Sequence, residues 1–415
     1  MLSRRAFLVG SASLFVAAGC DPMTLARRLS RGCTGQPNPS WSIPGAAASD
    51  SALSVVYSGN AFSVVVGGVT VEQGWRPASA YNNLWTRDNA YTLWHNPGLQ
   101  SATLRRQFVT QTLAYRSVAN FLPDHVSSGG SVSYNGGGQP SYYPILDGIA
   151  MVVLALWTDW NATGDTTTFT SQQSIIDDCL AAIPRDANGC VYSDPANPSV
   201  DYGFTDSVLK TGDVAYGTAL QAWAYKMCGQ MSGGGNSTNP AGTSYGSLQA
   251  AASAGLATLY NSTSGFYRGS SGNNSAVDDV WATALAVAEN LDATNRTTAA
   301  TAMRSAYLAG NISQLGRVRH LPVGQYWTNC TASAGTYQNG GFWVTPLWDC
   351  VRAVAVVDFA TARAWATEAM NEIANDEIAV YGAAASPNEW LNWPYGSVGG
   401  APGYTPSAAV VHRFI

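Results

Sequence analysis

Two short segments of the 415-residue sequence place hydrogen-bonding side chains between large aromatic residues. In residues 85–91 an arginine and an aspartate stand between a tryptophan and a tyrosine, and in residues 337–343 a glutamine and an asparagine do the same. A sugar ring has hydroxyl groups at its edge and apolar faces, so this mixture is typical of a carbohydrate site. The residues of these segments that we expect to contact a ligand are Trp85, Arg87, Asp88, Tyr337, Gln338, Asn339 and Trp343.

The composition limits the classes of ligand and the location of the protein. Charged residues make up only 11% of the chain and aromatic residues another 11%, with 14 Trp and 20 Tyr. Such a low-charge, Trp-rich composition is typical of proteins that act outside the cytoplasm. The net charge is -5, and no run rich in Lys or Arg follows the N-terminal region, so the chain offers no basic surface for a phosphate backbone. We therefore expect no nucleic-acid partner.

Residues 1–19 have the features of an export signal. A short positive region precedes an apolar stretch, residues 6–19, which is too short to cross a bilayer of roughly 30 Å as a helix. Residues 3–8 resemble a twin-arginine signal, and residues 16–20 resemble a bacterial lipobox. The lipobox would make Cys20 an acylated anchor, and that anchor would be the only attachment to a membrane in the periplasm or at the cell surface.

Other routes of export fit the sequence nearly as well. Cleavage after Ala18 would give a freely secreted protein, and seven Asn-X-Ser/Thr sequons leave a glycosylated secreted protein open. Residues 20–50 are rich in Gly, Pro, Ser and Ala and are interpreted as a linker. No later stretch is long or biased enough to mark a boundary, so we expect one catalytic domain over residues 51–415.

The cysteines favour disulfides over a metal site. The chain has seven cysteines, six of them apart from Cys20, with no C-x-x-C pair, and its four histidines are scattered. This pattern argues against structural zinc, and we expect no cofactor. An even number of cysteines in an exported chain indicates disulfides. Cys179 and Cys190, which flank the expected turn at 184–189, are the best pair, whereas Cys228 could equally be a buried thiol.

The periodicity of apolar residues predicts an all-α fold. Strand-like alternation is confined to residues 54–71, near the N-terminus, and polar loops that hold most of the aromatic and carboxylate clusters separate the helices. A toroid of helical hairpins with its functional loops at one rim accounts for this pattern, although a generic all-α domain would also fit. The expected helices are 104–118, 145–160, 172–182, 214–227, 245–259, 280–290, 297–308, 343–359 and 359–375.

The order of the segments resembles that of the six-hairpin, (α/α)6-barrel glycosidases. This clan of inverting enzymes includes glucoamylases, processing α-glucosidases and glycogen-debranching glucosidases. The likeness runs in order from about residue 75 to 410. It implies an (α/α)6 toroid. It also implies that Asp147 and Trp390 belong to the sugar-binding residues. The matching segments are 85–91, 144–148 leading to 161–165, 202–207 followed by 210–213, 337–343, and 388–392 before 404–409.

The resemblance implies a pair of catalytic carboxyl groups. Inverting hydrolysis needs a protonated acid beside the leaving oxygen and a carboxylate that activates water, roughly 6.5–9.5 Å apart. Asp206 is the candidate acid, because the apolar faces of Tyr202 and Phe204 would raise its pKa. Glu389 is the candidate base, because it lies in a Trp-rich loop where a glutamate has few structural duties.

Each catalytic assignment has a structural alternative. Asp206 could instead cap a helix over residues 207–209, with Asp201 and Asp213 as the next candidates for the acid. Glu389 could be an exposed loop residue.

The binding residues have alternatives too. Arg87 and Asp88 suit the recognition of hydroxyl groups, because an arginine keeps a neighbouring carboxylate ionised and supplies donors. They could instead form a buried ion pair that holds two hairpins together. Trp85, Trp343 and Trp390 could stack on sugar faces, although any single tryptophan is more often part of the core.

Departures from the family pattern leave the substrate open. Thr405-Pro406-Ser407 stands where relatives have Ser-Trp-Ser, and Phe204-Thr205 replaces a Trp-containing pair before Asp206. The short chain favours a compact exo-acting enzyme that cleaves terminal, glucosyl-type sugars from oligosaccharides or polysaccharides. The alternatives are an inverting sugar phosphorylase and a non-catalytic carbohydrate-binding lipoprotein. A polysaccharide lyase lacks support, since no His-centred set of residues is found.

Overall fold

The computed structural model of the protein describes residues 41–134, 145–198, 204–235, 237–392 and 397–415. The expected export signal, Cys20, Cys33, Asp201 and Tyr202 lie outside these described residues. Residues 41–415 pack as one unit. None of the helices in the described ranges is long and apolar enough to cross a membrane.

Twelve helices in the described residues form two concentric rings. Each of the first four inner helices contacts the next one along the chain, and the sixth contacts the first. Between the fifth and the sixth inner helix, the hydroxyl groups of Thr345 and Ser407 form a 3.1 Å hydrogen bond. The inner helices are α2 (Thr86–His95), α4 (Gly148–Thr163), α6 (Ala215–Met231), α8 (Val280–Ala288), α10 (Leu347–Ala355) and α12 (Thr405–Val411).

The outer ring consists of helices that bury only one face. In α1 the buried positions Ser49, Leu53, Val56, Tyr57 and Asn60 recur at helical spacing, which is the pattern of an amphipathic surface helix. The inner helices, by contrast, are almost entirely buried, and every residue of α2 and of α12 is buried. The outer helices are α1 (Ala46–Asn60), α3 (Ala102–Ala114), α5 (Thr167–Ala182), α7 (Tyr245–Thr258), α9 (Arg296–Leu308) and α11 (Phe359–Asn371).

The two ends of the described chain complete the sixth hairpin. Helix α1 packs against α12, the last inner helix. The backbone N–H of Ile43 donates to the carbonyl oxygen of Phe414 at 2.9 Å, and the ring of Trp41 packs edge-on against Trp348 and Phe414. The predicted toroid of six helical hairpins is confirmed. The strand-like alternation over residues 54–60, however, was misinterpreted, because these residues belong to helix α1.

The strands are short and lie in the loops between helices. A hairpin of β1 and β2 follows α1, and a five-stranded antiparallel sheet runs in the order β11–β12–β13–β14–β15. Strands therefore also lie outside residues 54–71, where the sequence shows no alternation, because strands of two or three residues are too short to show it. The strands are Ala61–Val66, Val69–Trp75, Asn83–Trp85, His125–Ser127, Val132–Ser133, Tyr192–Ser193, Gly212–Asp213, Tyr260–Asn261, Phe266–Arg268, Asp278–Asp279, Ser313–Gln314, Arg317–Arg319, Phe342–Trp343, Trp390–Leu391 and Val398–Gly399, numbered β1 to β15.

Irregular helical segments occupy three further places. A π-helix, Glu372–Ile378, follows α11 and continues into a single turn of α-helix, Ala379–Tyr381. The 3-10 helices are Pro97–Leu99, Ala383–Ala385 and His412–Phe414.

The predicted disulfide is not formed. Cys179 and Cys190 are both buried free thiols. Cys179 lies on the buried face of α5, and the Cys190 sulfur faces the hydroxyl of Thr258 at 3.9 Å. Two cysteines that flank a turn need not point toward each other, and here each packs into the apolar core. Cys228, Cys330 and Cys350 are also free thiols.

Candidate active site

A cavity of about 410 Å³ lies where the segments leading into the inner helices meet. Asp88 occupies the first turn of α2, and Tyr404 directly precedes α12. The loops before α6 and α10 supply further wall residues. Seven residues predicted from the sequence line the cavity: Trp85, Arg87, Asp88, Asp206, Tyr337, Gln338 and Glu389. The remaining wall residues are Pro77, Tyr81, Phe204, Ser207, Thr331, Ala332 and Tyr404.

Glu389 is held at the cavity wall by hydrogen bonds to one of its carboxyl oxygens. Its Oε2 accepts from the hydroxyl of Tyr81 at 2.9 Å and from the backbone N–H of Ala401 at 3.0 Å. Burial raises the pKa of Glu389 to about 7, against the lowering effect of these two donors. The nearby carboxyl groups of Asp88 and Asp206 also raise it. Glu389 is therefore a buried group that exchanges its proton near neutral pH, not the exposed loop residue of the alternative interpretation.

Asp206 is anchored through the amide of Gln338. The Gln338 Nε2 donates to Oδ1 of Asp206, while the Gln338 Oε1 accepts from the backbone N–H of Ser207 at 2.8 Å and from its hydroxyl at 2.6 Å. Burial raises the pKa of Asp206, whereas the Arg87 guanidinium and the Gln338 amide lower it. The alternative role as a helix cap is wrong, because residues 207–209 form a turn and a β-bridge and no helix.

Asp88 forms a second carboxyl–phenol pair in the wall. The hydroxyl of Tyr404 donates to Oδ1 of Asp88, which joins the first turn of α2 to the start of α12. Burial raises the pKa of Asp88 to about 7, while Arg87 and the Tyr404 hydrogen bond lower it. The wall thus contains three buried carboxyl groups with raised pKa values.

Arg87 directs its charge toward acids behind the wall. Its Nε donates to Oδ2 of Asp147 at 2.6 Å, and its Nη2 lies 3.8 Å from Oδ1 of Asp124. Asp147 immediately precedes helix α4, so the pair joins the first two inner helices. The predicted hairpin-bridging ion pair therefore exists, but the acid in it is Asp147 and not Asp88.

Aromatic rings form much of the remaining wall. Trp85 packs edge-on against Tyr81, with ring centroids 6.0 Å apart, and its ring centroid also lies 4.4 Å from that of His125. The guanidinium carbon of Arg87 lies over the ring of Phe204, 5.5 Å from the ring centroid. These rings offer apolar surface beside the carboxyl groups, the combination that a sugar ring requires.

Four of the predicted binding residues lie behind the cavity wall. Asp147 pairs with Arg87, as described. Asn339 accepts from the backbone N–H of Trp327 at 2.7 Å and donates to the carbonyl of Ala332. Trp343 is only 1% exposed and donates from Nε1 to the carbonyl of Tyr337. Trp390 packs edge-on against the same tyrosine. In this structure these four residues support the wall residues.

The remaining candidate acid lies elsewhere. Asp213 belongs to β7 and does not line the cavity. One oxygen of its carboxylate, one of Asp186 and the Cys190 sulfur all lie within 4.8 Å of one another. This is a group of potential metal ligands. Both oxygens of Asp186, however, already accept hydrogen bonds within their own loop, from the Cys190 N–H and the Asn188 amide.

Sequence reasoning overlooked two phenols that orient the carboxyl groups. Tyr81 precedes the Trp85 segment, and Tyr404 was noted only as the start of a matching segment. Both partners are far away in the chain, since Tyr81 and Glu389 are 308 positions apart and Tyr404 and Asp88 are 316 apart. Only the position of Tyr404 immediately before an inner helix could have indicated its role.

The comparisons with known proteins show the fold. No protein-family model and no curated protein sequence matches the chain. The structure is similar to that of a GH63 mannosylglycerate hydrolase from Thermus thermophilus in complex with glucose. The TM-score is 0.58 at 13% identity, over 88% of this chain and 99% of that one.

Two further solved structures give the same result. A rhamnosidase from Klebsiella oxytoca with rhamnose bound has a TM-score of 0.56 at 14% identity, over 89% of this chain and 63% of that one. A structure described as a wild-type glycosidase has a TM-score of 0.54 at 16% identity, over 95% of this chain and 98% of that one. The chain therefore has the (α/α)6 toroid fold found in these glycosidases, and the resemblance drawn from the sequence is confirmed at the level of the fold.

Proposed function

We propose that the protein is an inverting, exo-acting glycoside hydrolase that releases a terminal, glucosyl-type sugar from oligosaccharides. One observation carries the proposal: Asp206 and Glu389, both buried and both with raised pKa values, line the same cavity. Each is held by a neutral donor and not by the other. Two buried carboxyl groups whose pKa values lie above those of exposed acids can serve as the acid and the base of a hydrolysis.

In this proposal Asp206 is the general acid. Its Oδ1 is engaged by the Gln338 amide, so the proton that passes to the leaving-group oxygen is best placed on Oδ2. The amide fixes the orientation of the carboxyl group without removing that proton. Burial keeps the group protonated to a higher pH than an exposed aspartate.

Glu389 is then the general base. The hydrogen bonds from Tyr81 and Ala401 converge on Oε2, and Oε1 is the oxygen that would accept a proton from water. As that water attacks the anomeric carbon on the face opposite the leaving group, the glycosidic bond breaks and the configuration inverts.

The size and chemistry of the cavity support a small neutral sugar. Its volume of about 410 Å³ lies toward the low end of ligand sites, which span about 300–1,000 Å³. Arg87 is the only cationic side chain among the described wall residues, and Asp147 balances its charge. Three carboxyl groups in the wall disfavour an anionic sugar. The glucose and rhamnose named for the similar structures are also neutral.

The same charge distribution argues against a phosphorylase. That enzyme would need a cationic pocket for phosphate in place of the base, whereas this position holds Glu389 with Tyr81. A non-catalytic sugar-binding protein would keep the aromatic wall but would have no need for two acids with raised pKa values.

Product NMR tests the proposed activity. We would incubate the protein with 4-nitrophenyl α- and β-glycosides of neutral hexoses and with matching oligosaccharides, and record the anomer first released. The expected product has the configuration opposite to that of the substrate. Asp206→Asn and Glu389→Gln should each reduce kcat roughly 10²- to 10⁴-fold, while Asp178→Asn, at an exposed position on α5, should leave it unchanged. A rate that requires inorganic phosphate would indicate the phosphorylase, and binding without turnover would indicate the binding protein.

We also propose that the protein acts outside the cytoplasm, either lipidated at Cys20 or freely secreted. The support is the N-terminal sequence, with its short positive region, apolar stretch and lipobox-like residues. Incorporation of labelled palmitate into the wild type but not into Cys20→Ser would indicate the lipoprotein. Export without labelling would indicate secretion, and retention of both forms in the cytoplasm would contradict the proposal.

A further inference from the structure

Glu377 lies behind the loop that carries Glu389. It is 2% exposed and belongs to the π-helix Glu372–Ile378. A π-helix is uncommon and is often found beside functional sites. It places Glu372 and Glu377, five residues apart, on the same buried side of the segment. Glu377 does not line the candidate active site; it lines a separate cavity of about 230 Å³.

Both oxygens of Glu377 bind the residue that precedes the proposed base. Oε2 accepts from the backbone N–H of Asn388 at 3.2 Å, and Oε1 accepts from the Asn388 side-chain amide at 3.3 Å. Asn388 is itself 3% exposed. A carboxylate that binds both the backbone and the side chain of one residue fixes the position and the rotation of that part of the loop.

Arg317 also binds Glu377, at the oxygen that accepts from the Asn388 side-chain amide. It lies on β12, is fully buried, and donates from Nη2 to Oε1 of Glu377. Strand β12 belongs to the same sheet as β14, which begins immediately after Glu389. The sheet therefore presents a fixed cation to Glu377, and Glu377 in turn presents a fixed carboxylate to the loop.

On the other side of the base, Ala401 completes the support. The backbone N–H of Glu389 donates to the carbonyl of Ala401 at 3.0 Å, and the Ala401 N–H returns to the Glu389 carboxylate. The backbone of the base is thus fixed at two points, by Glu377 through Asn388 and by Ala401.

We propose that Glu377 is a positioning residue for Glu389, acting through Asn388 with Arg317 as its charge partner. This inference rests on the proposed function, because it needs Glu389 to be the group that activates water. Glu377 does not touch the substrate. It keeps Oε1 of the base aligned with the attacking water, and a misplacement of about 1 Å at such a site can cost about 10²-fold in rate.

The first test measures kcat and KM for Glu377→Gln with a 4-nitrophenyl glycoside that the wild type cleaves. We expect kcat to fall about 10- to 100-fold while KM changes less than about twofold, since the sugar-binding wall is untouched. The matched control is Asp376→Asn, an exposed acid on the same π-helix, which should retain wild-type kinetics. Urea unfolding of each variant shows whether it is folded under assay conditions.

Asn388→Ala covers the case in which Glu377→Gln does not fold. This variant keeps the Arg317–Glu377 ion pair and the backbone hydrogen bond, and removes only the side-chain amide. We expect a smaller loss of kcat in the same direction, again with KM unchanged. Unchanged kcat in Asn388→Ala, or in a folded Glu377→Gln, would overturn the inference.

A double-mutant cycle separates positioning from general structural support. In the Glu389→Ala background, with sodium azide supplied as the substitute nucleophile, Glu377→Gln should change the rate less than about twofold, because the group that it positions is gone. A loss as large as in the wild-type background would show that Glu377 merely supports the cavity. If the wild type releases no sugar, the proposed function fails. If it does and Glu389→Gln is inactive while Glu377→Gln is fully active, only the positioning role fails.

Discussion

The hydroxyl of Tyr81 donates a 2.9 Å hydrogen bond to Oε2 of Glu389, which lies 308 positions later in the chain. This bond stabilises the ionised form of the carboxyl group and so lowers its pKa, although burial still raises that pKa to about 7 overall. Tyr81, itself a wall residue, therefore helps to set the pH at which the proposed base becomes available.

Tyr81→Phe should move the acidic limb of the pH profile upward. Without the phenolic donor the ionised Glu389 is less stable, so its pKa rises further above about 7. A hydrogen bond to a charged group contributes about 1.5–3 kcal/mol, so the limb should shift by on the order of one pH unit. The measurement is kcat/KM from pH 5 to 9. Trp85→Phe, a change to another residue of the wall, should leave the position of the limb unaltered.

Gln338→Leu should act on the opposite limb. The Gln338 amide lowers the pKa of Asp206, so its removal raises that pKa and keeps the acid protonated to higher pH. The basic limb of kcat/KM should therefore move upward, with a reduced maximum because Asp206 is less well oriented.

The two variants together assign the catalytic roles. If Tyr81→Phe moved the basic limb and Gln338→Leu the acidic limb, Glu389 would be the acid and Asp206 the base. If neither limb moved in either variant, the profile would not report these two carboxyl groups.

Two of the three tryptophans predicted to bind sugar, Trp85 and Trp343, should differ in the effect of their replacement. Trp85 lines the cavity, whereas Trp343 is 1% exposed and sits in the core. Trp85→Ala should raise KM with little change in the free energy of unfolding. Trp343→Ala should lower that free energy by about 3–5 kcal/mol, as other buried Trp-to-Ala changes do. Urea unfolding and steady-state kinetics measure both quantities. Equal loss of stability in the two variants would contradict this division.

The sequence predicted the helices of the toroid better than it predicted the site. Periodicity identified helices such as α5 and α9 because each buries one regular face. It could not show that α1 and α12 close the ring, since that contact joins the two ends of the described chain. The ordered segments brought Asp206 and Glu389, which line one cavity, into the same predicted site. Tyr81 was missed, because one tyrosine has no local signal and its partner is distant in sequence. The Cys179–Cys190 prediction failed because spacing does not specify side-chain direction.

A buried glutamate that does not line the cavity should make the protein less stable as the pH rises. Glu72 lies on β2, and its Oε1 accepts a 3.5 Å hydrogen bond from Thr112 of α3. Burial raises its pKa from 4.5 to about 8. In the unfolded chain the group ionises near 4.5, so its contribution to stability is fully present below that pH and is lost as the pH rises toward about 8.

Glu72→Gln should remove this pH dependence. The amide is neutral in both the folded and the unfolded chain and retains an oxygen for the Thr112 hydroxyl. At pH 4.5 the free energies of unfolding of the variant and the wild type should be similar, and at pH 7 the variant should be more stable by about 3 kcal/mol. Urea unfolding at the two pH values measures this difference. Asp178→Asn, at an exposed position, should follow the wild type within about 0.5 kcal/mol. If the wild type and Glu72→Gln lost stability in parallel over this range, Glu72 would already be ionised in the folded protein at neutral pH.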